Sequence, residues 1–198
     1  MPAKQSRILG ALLGVHAGDS LGATLEFSTW TMTQKNYPNG LRDMVGGGPF
    51  GWPAGHATDD TDLTRAVLLA YRDRAEARSK TSTTKTEEGQ EQDFDVVQSA
   101  AEHSLHWMRG PWPGRRPGSR PDDIGGATAT GLRAFARTHN PATSGAGPDS
   151  AGNGSLMRCI PTALFAAPDQ RVQESMRSSN SRPELMICSN LIRQILDP

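Results

Sequence analysis

The sequence predicts an all-α fold, in which helices pack against helices around a shared core. Apolar residues recur three and four positions apart in several separate stretches, which is typical of amphipathic helices. The alternation that marks strands is weak, and the connecting segments hold many of the chain's 21 glycines and 14 prolines. With 198 residues, the chain has room for a substantial core, and we expect a single domain over residues 1–198.

Four helices are predicted, in chain order, in the first part of the sequence. The first helix is marked by Ile8, Leu9, Leu12, Leu13 and His16, and the second runs from Asp59 to about Arg78. The third helix is marked by Phe94, Val97, Ala101, Leu105 and Met108. The fourth helix is marked by Leu132, Phe135 and Ala136. Residues 79–92, after the second helix, are polar and low in complexity. We therefore expect a disordered insertion between two helices there.

Two more helices are predicted towards the C-terminus. Leu156, Ile160 and Leu164 mark a fifth helix, which Pro161 is expected to bend or interrupt. A sixth is indicated by Leu185, Cys188, Ile192 and Ile195.

Composition argues against several classes of function. Basic and acidic residues both number 21, so the formal net charge is zero, and we expect neither nucleic acid nor a membrane as a partner. No apolar run reaches the ~18 residues of a membrane span, and no signal-peptide pattern is present. The two cysteines, Cys159 and Cys188, form no disulfide framework. A reducing compartment, cytoplasmic or nuclear, is therefore expected.

The strongest functional signal is the run Thr58-Asp59-Asp60-Thr61-Asp62, which puts three carboxylates and two hydroxyls at the start of the second helix. Hard oxygen donors at this density suit Mg²⁺, Mn²⁺ or Ca²⁺, and a bound metal could polarise a phosphate or activate a water. The alternative is helix capping, because Thr58 is a good N-cap and aspartates in the first turn favour the helix dipole. This run alone leaves both interpretations open.

Two other junctions carry acids beside glycines. Glu26 follows the run Gly18–Gly22 at the end of the first helix, where a cation would relieve its unfavourable position against the helix dipole. A solvated surface glutamate is the alternative. Asp122 and Asp123 open the fourth helix, and ordinary capping is the alternative there.

A further junction, Ser150–Ser155, precedes Met157 and is rich in glycine. Its backbone N–H groups suit a phosphate or pyrophosphate, although most Gly-Asn-Gly turns are only turns. Other chemistries are less well supported. His103 and His106 have helical spacing for zinc but no third ligand, and no G-x-S-x-G nucleophile elbow occurs.

Four segments, taken together and in this order, resemble the ADP-ribosylglycohydrolase family, which includes dinitrogenase reductase-activating glycohydrolases and ADP-ribosyl-acceptor hydrolases. The segments are ILGALLGVHAGDSLGATLEF (8–27), GHATDDTDLTRAVLLA (55–70), DDIGGATATGLRAF (122–135) and GNGSLMRCIPTALF (152–165). The resemblance implies an orthogonal multi-helix fold with a binuclear Mg²⁺ or Mn²⁺ centre at the bottom of an ADP-ribose cleft. It also implies hydrolysis of the bond between ribose C1″ and an arginine or serine side chain of an ADP-ribosylated protein. A related ADP-ribose conjugate is the alternative substrate.

The resemblance also assigns residues by position. Thr58, Asp59 and Asp60 would be metal ligands. The implied catalytic set consists of Asp59, Asp60, Asp123 and Glu26, and Glu26 matches the acid beside the metals. The implied substrate-binding set consists of Ser150, Ala151, Gly152, Asn153, Gly154, Ser155, Met157, Gly125 and Gly126.

The chain departs from the family pattern after residue 165. Family members carry a second acidic motif, Asp-x-Asp-Thr, near the C-terminus, and this sequence has none there. We expect a domain that is incomplete at its C-terminal end, with a divergent tail over residues 168–198. Apolar faces meant for a missing half would then be exposed, which predicts marginal stability or oligomerisation. The alternative function is a catalytically inactive ADP-ribose-binding or structural remnant.

Overall fold

The computed structural model describes residues 4–83, 94–147, 150 and 152–165. These residues belong to two compact units, Met1–Asp62 and Leu63–Pro198. All regular structure within the described residues is helical, apart from one isolated bridge between Gly47 and Trp52. The all-α prediction is therefore confirmed. None of the described helices has the length and apolar content that a membrane span requires.

The first unit contains α1 (Lys4–Gly22) and α2 (Trp30–Asn36), followed by a glycine-rich loop that leads to the start of α3. Ser20 is the only buried residue of α1, and α2 has none. The loop packs against the turn after α1 at Gly48, whose φ of +69° and lack of a Cβ permit contact with the Ala23 carbonyl. A side chain at position 48 would overlap that carbonyl oxygen.

The helices of the second unit are α3 (Asp59–Thr83, which begins in the first unit), α4 (Val96–Arg109), α5 (Gly126–Thr138), α6 (Gly154–Met157) and α7 (Ile160–Phe165), with a 3₁₀ turn at Pro141–Thr143. The core is a cluster of five buried side chains: Leu63, Ala66, Trp107, Trp112 and Leu132. Leu63 and Trp107 are fully buried, and full burial of a leucine side chain alone contributes about 1.5–3 kcal/mol. The core of this unit therefore joins α3, α4 and α5.

The predicted helix bounds differ from the structure at four points. Phe94, expected in the third helix, precedes α4, and Asp122 and Asp123, expected to open the fourth helix, precede α5, which begins at Gly126. The second predicted helix extends to Thr83, past the expected end at Arg78. The fifth is two helices, α6 and α7, and the break lies at Arg158 and Cys159 rather than at Pro161. Pro161 lies in the first turn of α7, where the missing N–H costs nothing.

Several expectations fall partly or wholly on residues outside the described set. They are the remainder of the polar insertion, residues 84–92, the sixth helix and the divergent tail at 168–198. They stay predictions.

Candidate functional site

Asp19, near the end of α1, binds the first turn of α3 through both carboxylate oxygens. Its Oδ1 accepts a hydrogen bond from the Thr58 hydroxyl at 2.6 Å. Its Oδ2 accepts from the backbone N–H of Thr58 at 3.0 Å and that of Thr61 at 3.2 Å, and from the Thr61 hydroxyl at 2.5 Å. Next to it, the Ser20 hydroxyl donates to the His56 carbonyl at 2.9 Å. The end of α1 thus fixes the acidic turn, defined here as residues 58–62.

These contacts change the capping interpretation. Thr58 occupies the N-cap position, since its carbonyl accepts from the Asp62 N–H at 3.1 Å. Its hydroxyl, however, donates to Asp19, and the Thr61 N–H that an N-cap side chain would bind is also bonded to Asp19. The capping carboxylate therefore comes from α1, and local sequence patterns could not reveal it.

Glu26 shares the electrostatic field of the acidic turn. It lies on the turn after α1, four residues beyond the helix end at Gly22, and it is partly buried. Burial raises the pKa of the Glu26 carboxyl above its ordinary value of 4.5, and the negative charges of Asp59, Asp60 and Asp19 raise it further. The structure thus brings three of the four predicted catalytic acids into one electrostatic neighbourhood.

The oxygens of this neighbourhood have the chemistry that a hard divalent cation requires. Thr58 and Asp59 are 7% and 8% exposed, so one hydroxyl and one carboxylate are already largely removed from water. Among the described residues, however, no three His, Cys, Asp or Glu side chains converge closely enough to enclose a metal ion. The donors fit a divalent cation in type, and further ligands would be needed to complete a coordination shell.

The second unit contains a separate feature, a cavity of about 950 Å³. Its walls include small and apolar side chains of α4 and α5, the segment 141–147, and the start of α6. Gly131 on α5 brings the 141–147 segment close, because a Cβ there would lie 2.9 Å from the Ser144 carbonyl oxygen. Gly154 is similarly constrained, since its Cβ would lie 3.1 Å from both the Thr128 hydroxyl and the Arg158 guanidinium.

Four residues of the predicted substrate-binding set line this cavity: Ser150, Gly152, Gly154 and Ser155. Arg158 also lines it, although the sequence interpretation did not assign it a role. Its position in the Gly-Asn-Gly-x-x-Met-Arg run is the signal that could have identified it. α6 is a single turn of four residues, so its dipole is small, and a phosphate would depend on individual N–H groups there.

The remaining predicted site residues of this unit lie elsewhere in it or outside the described set. Asn153 is the N-cap residue of α6. Gly125 and Gly126 form the start of α5. Met157 packs its side chain against the core, and its carbonyl accepts a hydrogen bond from the Thr64 hydroxyl at 3.0 Å. Asp123 is partly buried in the segment before α5, and Ala151 lies outside the described residues. Their functional roles stay predictions.

The two weaker sequence patterns have structural explanations. His103 binds Asp73 through Nε2 at 2.6 Å and thereby joins α4 to α3, which gives this histidine a role other than zinc ligation. The second pattern is a short aromatic and basic stretch, with Trp107 and Trp112 near the arginines at positions 115, 116 and 120, that resembles a nucleic-acid-binding patch. Both tryptophans are buried, with 0% and 5% exposure. Arg115 donates hydrogen bonds to the carbonyls of Trp107 and Gly110. These residues therefore stabilise the core and the loop that follows α4.

The chain matches a family model and curated proteins. The family model for ADP-ribosylglycohydrolase matches residues 1–186. An ADP-ribosyl-[dinitrogen reductase] glycohydrolase of Rhodospirillum rubrum is 34% identical over 167 residues, covering 82% of this chain and 46% of that protein. An ADP-ribosylarginine hydrolase of Pseudomonas putida (strain GB-1) is 33% identical over 195 residues, covering 96% of this chain and 46% of that protein.

A solved structure has the same fold. It is described as an ADP-ribosylglycohydrolase-related protein complex, and it matches with a TM-score of 0.52 and 28% identity, covering 97% of this chain and 49% of that chain. The chain spans about half the length of the curated relatives it matches, 46% in both of those named above. With a family match that runs over nearly its whole length, the chain belongs to the ADP-ribosylglycohydrolase family.

Proposed function

We propose that this chain supplies part of a divalent-metal-dependent hydrolase that releases ADP-ribose from modified protein side chains. The observation that carries the proposal is the acidic turn, whose oxygens Asp19 fixes beside Glu26. The name of the Pseudomonas putida relative favours arginine as the acceptor. The name of the Rhodospirillum rubrum relative gives ADP-ribosylated dinitrogen reductase as its target. Serine or another ADP-ribose conjugate is the wider class.

The acidic turn would hold the metal. Thr58, Asp59 and Asp60 offer the hard oxygen ligands that Mg²⁺ and Mn²⁺ prefer. A bound divalent cation would stabilise negative charge on a ribose hydroxyl or an attacking water. The raised pKa of Glu26 supports the assignment, because the negative charges of Asp59, Asp60 and Asp19 add to the effect of burial, and a cation would neutralise those charges.

Cleavage of a glycosidic bond develops positive charge on the sugar, and a carboxyl group must take or supply a proton. Glu26 and Asp123 are the candidates in this chain. Glu26 lies in the negative field of the acidic turn, which disfavours loss of its proton. Asp123 precedes α5 and is partly buried.

The cavity of the second unit supports ADP-ribose as the bound group. A volume of about 950 Å³ is at the upper end of small-molecule pockets, roughly 300–1,000 Å³, and suits a dinucleotide-sized ligand. Its lining combines apolar surface on α4 and α5 with hydroxyls of Ser150 and Ser155 and the guanidinium of Arg158. A guanidinium is well suited to a diphosphate, since it donates parallel hydrogen bonds to two oxygens.

The alternative is a chain that binds ADP-ribose without cleaving it, or a structural remnant. One observation favours it: no enclosing cluster of metal ligands occurs among the described residues.

Calorimetric titration of ADP-ribose into the full chain, with and without Mg²⁺, tests these functions. Binding that requires Mg²⁺ and is lost in Asp60→Asn supports the hydrolase, and release of ADP-ribose from an arginine-modified protein is then the direct assay. Binding that is indifferent to Mg²⁺ and to Asp60→Asn favours the non-catalytic binding module. No binding by a folded sample contradicts both and leaves the structural remnant.

A further inference from the structure

We propose that Asp19 is a positioning residue, which orients the Thr58 hydroxyl so that its lone pairs are available to a divalent cation. The inference rests on the proposed metal site, since it concerns how one ligand of that site is held. It assigns to Asp19 a role in metal affinity beyond its role in capping α3.

The two oxygens of Asp19 serve different partners. Oδ1 accepts from the Thr58 hydroxyl at 2.6 Å. Oδ2 accepts from two backbone N–H groups and from the Thr61 hydroxyl. The Oδ2 contacts satisfy the free N–H groups at a helix start, as an N-cap does. The Oδ1 contact satisfies no helix N–H, so capping does not account for it.

A hydroxyl has one hydrogen and two lone pairs, and it ligates a cation only with the lone pairs. The hydrogen of Thr58 is committed to a carboxylate, so its lone pairs are directed away from Asp19. A charge-assisted bond of this kind also increases the electron density on the hydroxyl oxygen, which improves it as a ligand. Thr58 is 7% exposed, and therefore water competes little for the same oxygen.

Asparagine at position 19 would remove this arrangement while nearly preserving shape. Its amide has one acceptor oxygen and one donor NH₂ group. If the amide oxygen still accepts from the backbone N–H groups of Thr58 and Thr61, the NH₂ group faces the Thr58 hydroxyl. That hydroxyl must then accept a hydrogen bond instead of donating one. The hydroxyl hydrogen would turn outward, towards the position of a cation, and coordination would be opposed.

The test is titration of the full chain with Mn²⁺, with free Mn²⁺ followed by electron paramagnetic resonance. Asp19→Asn is expected to weaken Mn²⁺ binding by about 10- to 100-fold, the range that is usual for partners of metal ligands. Thr61→Val is the matched control, because it also loses a hydroxyl bond to Asp19 but removes no proposed ligand. It should leave Mn²⁺ affinity unchanged. In a Thr58→Val background, Asp19→Asn should have little further effect.

Each other outcome overturns a defined part of the inference. Equal Mn²⁺ affinity in wild type and a folded Asp19→Asn protein overturns the positioning role and leaves the metal site intact. Equal weakening by Asp19→Asn and Thr61→Val reduces Asp19 to a cap. If Asp19→Asn weakens Mn²⁺ binding as much in the Thr58→Val background as in wild type, Asp19 does not act through Thr58. Absence of Mn²⁺ binding by wild type overturns the proposed metal site as well. If Asp19→Asn does not fold, Thr58→Val is compared with Thr61→Val. Equal Mn²⁺ affinities of these two variants overturn Thr58 as a ligand, and with it the positioning role of Asp19.

Discussion

At the scale of single residues, two carboxylates near the start of α3, those of Asp19 and Glu26, affect the stability of the fold in opposite ways. Asp19 is bonded to four donors and holds the turn in place. Glu26 instead has a raised pKa, because burial and three neighbouring carboxylates disfavour its ionised form. An acid whose pKa is raised on folding costs stability once it is ionised. The same charge becomes favourable when a cation is present.

Glu26→Gln is therefore expected to stabilise the metal-free protein at neutral pH and to reduce its stabilisation by Mn²⁺. The stability of wild type should fall relative to Glu26→Gln as the pH rises from 4.5, the ordinary value, through the higher pKa of the folded state. Thermal unfolding from pH 4 to 8, with chelator and with Mn²⁺, measures both effects. A variant that is less stable than wild type in chelator would contradict the repulsive field. Glu76→Gln, on the exposed side of α3, is the control.

At the scale of elements, hydrogen bonds between Asp73 of α3 and two residues of α4 join the two helices. The Ser99 hydroxyl donates to Asp73 Oδ2 at 3.1 Å, and His103 Nε2 lies 2.6 Å from the same oxygen. Burial raises the pKa of Asp73, but hydrogen bonds with His103, Arg72 and Ser99 outweigh it, and the pKa lies below its ordinary value of 3.8. The ionised carboxylate thus stabilises the contact between the two helices.

Asp73→Asn is expected to lower the free energy of unfolding at neutral pH by about 1 kcal/mol, the usual contribution of such a hydrogen bond. A lowered pKa stabilises the fold above the unfolded value of 3.8, and this contribution is lost as the pH falls through the folded-state pKa. Urea unfolding at pH 7 and near pH 3 should show a smaller difference from wild type at the lower pH. Ser99→Ala removes one donor alone and should cost less. A loss that does not change with pH would argue against the charge on Asp73.

A helix could be predicted where apolar residues recur at helical spacing, and this holds for α1 although Ser20 is its only buried residue. α3, α4 and α5 supply the core of the second unit, and their periodicity predicted them. α2 has no apolar residues three or four positions apart, so it lacks the pattern on which such a prediction depends. The break between α6 and α7 was misplaced because Pro161 was expected to interrupt the helix, whereas it lies in a first turn that tolerates proline.

The sequence predicted the residue types of the candidate site, but it did not predict the contacts between them. The density of oxygens in the acidic turn indicated a metal or a cap. Asp19 was not identified, because its partner Thr58 lies 39 positions along the chain. The cavity of the second unit depends on the approach of α5 to segment 141–147 at Gly131, a tertiary contact with no periodic pattern.

At the scale of the whole molecule, the apolar side chains of α1 stand out. Leu9 and Leu13 are each 57% exposed, and α1 carries no charged residue between Arg7 and Asp19. A helix so rich in apolar residues is usually buried. The chain spans 46% of the length of each named relative, and an exposed apolar surface of this kind favours contact with another protein surface.

The isolated 198-residue chain is therefore expected to self-associate. The double variant Leu9→Lys, Leu13→Lys is expected to shift the equilibrium towards monomer without loss of thermal stability. Light scattering across a range of protein concentrations measures the change. Leu63→Ala is the contrasting variant, because Leu63 is fully buried and its truncation should cost about 2–5 kcal/mol of stability. A wild-type chain that stays a compact, stable monomer at all concentrations would contradict the expectation.

The link between Asp19 and the acidic turn also bears on the order of folding. The turn and the residue that caps it are 39 positions apart, so they meet only after the intervening loop has closed. Helices of local sequence form before such distant contacts. During folding, the aspartates of α3 would thus be solvated and far from Glu26 until α1 docks. The carboxylates that a cation needs would be assembled last, which would favour metal binding by the folded chain over binding by the nascent one.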